Sequence, residues 1–177
     1  MLSLGFSDFA QWFTTNQGAD HLSQLSATFN FDMQKVISVV GTEVALVSNA
    51  ETSGNYEGSS WLLVQTSDAS KMSAYLRRIA ENTGNTKLKN YNNHVIYCIS
   101  GKSFLPGLFG EIFPDFNKNY YTLMDDYVVF AQSESSLINL IRYYETGKTL
   151  DLNDNFNAFS YNLATESNVI WYVKPGQ

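Results

Sequence analysis

Several groups of residues in this chain have types and spacings that could do chemistry, and each points to a different reaction. Ser100-Gly101-Lys102-Ser103 follows an extended run and precedes an apolar stretch, the setting of a loop whose backbone amides cradle phosphate while the lysine neutralises it. The spacing fails. That loop needs a glycine five positions before the Gly-Lys pair, where this chain has Ile96, so the segment reads as a turn carrying an exposed lysine. Asp151, Asn153 and Asn155 follow the first half of an EF-hand calcium loop, whose alternating oxygens converge on one cation. Phe156 stands where the sharp turn needs glycine and Asn162 where a bidentate glutamate closes the shell, which leaves helix capping by Asn153 or Asp154 as the better reading.

Nucleophilic catalysis would need a base within hydrogen-bond reach of a serine or cysteine, and the two histidines are His21 and His94. His94 and Cys98 share one face of a strand, but four residues at about 3.3 Å each set them about 13 Å apart. Cys98 reads as a buried core thiol and His94 as a strand-end residue beside a turn. The sequence contains no Cys/His grouping at zinc spacing and no G-x-S-x-G elbow. Asp125-Asp126 falls on a solvated tip, a poor place for general acid-base work. No catalytic, cofactor-binding or metal residue is therefore assigned, and the chain reads as a non-enzyme. The remaining candidates are aromatic: Tyr120, Tyr121, Tyr127, Trp61 and Trp171 form a candidate binding surface if they line one sheet face, and core and rim if they do not.

The elements that would position such a surface are clearest between Tyr120 and Leu150. Two runs rich in β-branched and aromatic residues, Tyr120–Met124 and Tyr127–Gln132, flank Asp125-Asp126, which predicts a tight hairpin with a left-handed residue at its second turn position. Ser133 then caps a helix, Glu134 complements its dipole, Leu137, Leu140, Ile141 and Tyr144 form its apolar face, and Gly147 closes it. The same grammar occurs upstream. Strand Trp61–Thr66 is followed by a Ser67-Asp68 cap, the apolar face Met72, Leu76, Ile79 and Ala80, and Gly84. Setting WLLVQTSDAS over YVVFAQSESS gives a repeat offset by about 66 residues. Between these copies, Lys87–Tyr91 and His94–Ser100 flank Asn92-Asn93, and Phe104–Phe113 predicts a short helix interrupted by Pro106 and Gly107.

Before Val44 the periodicity predicts helices, with faces Phe6, Phe9, Trp12, Phe13, then His21, Leu22, Leu25, then Met33, Val36, Ile37, Val40. Thr42–Ser48 reads as a strand and 49–60 as a loop. After Leu150, DLNDN caps a helix bearing Phe156, Phe159 and Leu163, and Val169–Val173 reads as a last strand. The expectation is α+β: a largely antiparallel sheet of repeated strand-strand-helix units with helices on one face. Residues 1–177 form a single domain, in which 1–41 is a helical segment and 42–177 the sheet with its covering helices.

Composition narrows the class. A chain of 177 residues with 44% hydrophobic and 16% charged residues buries a core without staples. No apolar run approaches the roughly 20 residues that span a bilayer. A formal charge of −6 and only 11 Lys and Arg oppose a nucleic-acid partner. One cysteine excludes an internal disulfide framework, and the N-terminal stretch lacks the basic-then-apolar pattern of a signal peptide.

Three phrases, GTEVALV at 41–47, YYTLMDDYVVFAQSESSLINLI at 120–141 and GKTLDLNDNFNAFSYNLATESNVIWYV at 147–173, resemble large bacterial envelope proteins, often predicted lipoproteins, that carry a domain of unknown function. The resemblance spans roughly residues 30–175 and rests on the hairpin-helix pattern. It implies an envelope location, a place within a longer chain and no established activity, with no functional residue to carry over. The expected role is a structural or interaction module whose partner is an unidentified protein or a neighbouring domain of the same chain. The alternative is a carbohydrate- or small-ligand-binding domain using exposed aromatics.

Overall fold

The computed structural model describes residues 2–5, 16–49, 59–85, 89–111, 113–147 and 169–171. Among them the chain runs β1 (Leu2–Gly5), α1 (Asn16–Phe29), α2 (Met33–Ile37), β2 (Val40–Asn49), β3 (Ser59–Thr66), α3 (Ala69–Asn82), β4 (Lys89–Tyr91), β5 (His94–Ser100), α4 (Phe104–Phe109), β6 (Lys118–Met124), β7 (Tyr127–Ala131), α5 (Glu134–Glu145) and β8 (Val169–Trp171). The strands form one sheet in the order β4-β5-β6-β7-β3-β2-β1-β8, every pairing antiparallel. This is the α+β class that the sequence predicts. None of the described helices is long and apolar enough to cross a membrane.

Local chemistry explains the element ends. Asp68 starts α3 by accepting the amide of Lys71 at 2.9 Å, and Ser133 starts α5 by accepting the amide of Ser136 at 3.1 Å. That backbone hydrogen bond, with the Lys71 side chain beside it, lowers the Asp68 carboxyl below its usual range. The two tight hairpins turn through Asn92 and Asp125, which take φ of 50° and 53°. In each the left-handed residue is the first of the pair, which at Asp125-Asp126 replaces the expected second position, and Asn and Asp tolerate it better than other L-residues. Pro106 does not interrupt α4: it sits in the first turn, where its missing amide costs nothing, and the chain stays helical through Phe109.

Two further features differ from the sequence expectation. The segment 1–41 is not wholly helical, because Leu2–Gly5 pairs with both β2 and β8. Its Leu2-Ser3-Leu4 alternation has the period of a strand. The predicted face Phe6, Phe9, Trp12, Phe13 and the helix around Phe156, Phe159 and Leu163 lie outside the described residues.

The second difference is where the helices pack. Leu62 and Val64 of β3, Ile99 of β5, Tyr121 of β6 and Val128 and Phe130 of β7 face a core shared with α1, α2, α3 and α4. Trp61, Ile96, Met124, Val129 and Ala131 point the other way, onto Leu137 and Ile141 of α5. Four helices therefore lie on one face and α5 on the opposite one, which corrects the one-face expectation. The cause is in the strands: Trp61-Leu62-Leu63-Val64 and Val128-Val129-Phe130-Ala131 are apolar without alternation, so both faces of the sheet centre need cover. Full burial of Leu137 and Ile141 contributes about 1.5–3 kcal/mol each to holding α5 there.

The β3–β7 register pairs Trp61 with Ala131, Leu63 with Val129 and Gln65 with Tyr127. Under the repeat offset this pairing maps onto itself about Leu63–Val129. The helices that follow do not obey the same symmetry, since α3 and α5 pack on opposite faces. The two segments share a strand register but not a helix placement.

Candidate functional site

Among the described residues, a group of polar side chains gathers at the Asp125-Asp126 end of the sheet. The ladder between β2 and β3 slips between Val40 and Val44, and Gly41 lies in the irregularity. A Cβ on Gly41 would come within 2.9 Å of Gln65 Oε1, so glycine leaves room for that amide to fill the gap. Gln65 Oε1 accepts from the Thr42 amide at 3.2 Å and from Thr42 Oγ1 at 3.0 Å, while Gln65 Nε2 donates to Asp126 Oδ2 at 3.2 Å. The Tyr127 hydroxyl donates to Glu43 Oε2 at 2.7 Å, and the Tyr144 hydroxyl donates to Asp125 Oδ2.

Partial burial, reinforced by the hydrogen bond to Glu43, pushes the Tyr127 phenol up to about 12. The Asp125 hydrogen bond likewise raises Tyr144, whose side chain is exposed. Phenols held protonated in this way are donors rather than bases or nucleophiles near neutral pH. The cluster ties the β6–β7 turn to β2, β3 and α5.

The histidines take separate bracing positions. His21 Nε2 lies 2.9 Å from the carbonyl oxygen of Gly107, joining α1 to α4. His94 Nδ1 lies 3.2 Å from the carbonyl oxygen of Leu123, joining β5 to β6, and its Nε2 stands 3.9 Å from Glu145 Oε1 on α5. Because a carbonyl only accepts, the proton of that contact belongs to Nδ1. Glu145 also accepts from Asn92 Nδ2 at 2.6 Å, and Lys89 Nζ donates to Glu134 at 2.9 Å, so both ends of α5 are tied to the β4–β5 hairpin.

Cys98 is buried, and burial pushes its thiol up. Lys102 and Ser103 are exposed, and the Ser103 amide donates to Asp115 Oδ1 at 2.6 Å, so a carboxylate occupies an amide that a phosphate cradle would need free. Among the described residues no group of three or more His, Cys, Asp or Glu could hold a metal ion. Asp151, Asn153 and Asn155 lie outside the described residues.

The aromatic surface expected from Tyr120, Tyr121, Tyr127, Trp61 and Trp171 is not one surface. Trp61 is buried in the α5-side core and its Nε1 donates to the Ser136 carbonyl at 3.1 Å. Tyr121 is buried on the opposite face, stacked on Tyr97 at 5.5 Å. Tyr120 is half-buried against the α5-side core, and Tyr127 is half-buried at the polar end. Trp171 pairs its backbone with Leu2 at the β8 edge; its side chain is outside the described residues. The reason is pleating: Tyr120 and Tyr121 are neighbours in one strand and must face opposite ways. Sequence reasoning missed Glu43 and Gln65, whose place in the polar cluster depends on which strands are neighbours. Compared with known protein families, curated proteins and solved structures, the chain matches none.

Proposed function

We propose that this chain is a non-catalytic structural or interaction module of a bacterial envelope protein, acting through its surfaces or through neighbouring domains of the same chain. The observation that carries the reading is the use made of reactive side chains. Both imidazoles bind backbone carbonyls between elements, at 2.9 Å for His21 and 3.2 Å for His94, and the Cys98 thiol is 1% exposed. Groups that would serve as base or nucleophile are holding the fold together instead. The envelope assignment rests on the sequence resemblance.

Two measurements test it. The purified chain is assayed against panels of esters, phosphates and glycosides beside His21→Ala and His94→Ala; equal, background-level rates are expected, and turnover abolished by either substitution overturns the non-enzyme reading. Cell fractionation of the native protein is expected to recover it with the envelope, and recovery in the cytosolic fraction overturns the location.

A further inference from the structure

We draw no further inference here: the strongest candidate, the polar cluster where Glu43, Gln65, Asp126 and Tyr127 meet at one end of the sheet, carries nothing because its side chains bond to one another and no second observation in the structure points to a ligand.

Discussion

Replacing Tyr121 by phenylalanine should make the protein more stable. The ring is 1% exposed, stacked on Tyr97 with centroids 5.5 Å apart and tilted against Phe130 at 5.8 Å, and phenylalanine keeps both contacts. The hydroxyl is different: it is buried with no hydrogen-bond partner among the described residues, and burial pushes its pKa well above the usual phenol range. In the unfolded chain that hydroxyl bonds to water, so folding forfeits about 1–3 kcal/mol that none of the described groups returns. Deleting the oxygen leaves a void on the order of 10 Å3, which at about 24 cal/mol per Å3 costs roughly 0.2 kcal/mol. The net gain is about 0.8–2.8 kcal/mol, or a rise in Tm of about 2–11 °C at roughly 2–4 °C per kcal/mol for a chain of this size. Urea unfolding should show a higher midpoint at unchanged m-value. Tyr121→Leu separates ring from hydroxyl, since loss of the stack should destabilise by about 1–3 kcal/mol. A fall in Tm for Tyr121→Phe would refute the reasoning, because it would mean that the hydroxyl is satisfied.

Trp61→Phe removes the indole donor from the Ser136 carbonyl, which lies in the first turn of α5, and should cost about 0.5–1.5 kcal/mol and loosen α5, read as a lower Tm and faster amide exchange across residues 134–145. Gly107→Ala places a Cβ 2.6 Å from Leu25 Cδ2 and should destabilise by about 1–3 kcal/mol in denaturant unfolding, despite the better helix propensity of alanine. The Tyr127 phenol titrates near 10 when unfolded and is pushed up to about 12 in the fold, so its contribution to stability is complete below about pH 10 and is lost as pH rises through 12. Tyrosinate absorbance should show a phenol titrating near 12, before the more deeply buried Tyr121, and this step should disappear in Tyr127→Phe and shift toward the ordinary range in Glu43→Gln.

Capped helices and tight hairpins were legible because their signals are local. Ser133, Asp68, Gly84 and Gly147 act within a few residues of where they stand, and the face Met72, Leu76, Ile79, Ala80 is buried as its spacing predicts. Which side of the sheet a helix covers was harder to read, though the unbroken apolar runs at 61–64 and 128–131 carried that signal. The candidate surface failed for a related reason. Aromatic richness says that area is available for burial, while exposure depends on strand order and on what packs above, and neither is a property of a short window. His21 illustrates the limit further: its contact with Gly107 joins helices 86 positions apart in sequence, and no pattern around either residue announces it.

The central seam of the sheet also sets a timetable. The β2–β3 and β6–β7 hairpins close locally, on a scale of about 1–10 μs, but β3 meets β7 only by closing a loop of about 66 residues. During synthesis at roughly 5–20 residues per second, β3 waits about 3–13 s for its partner, with the oily Trp61–Val64 edge bare and able to join another nascent copy. Slow translation between the two hairpins would lengthen that interval, so yield in the soluble fraction should track the speed at which residues 67–126 are made.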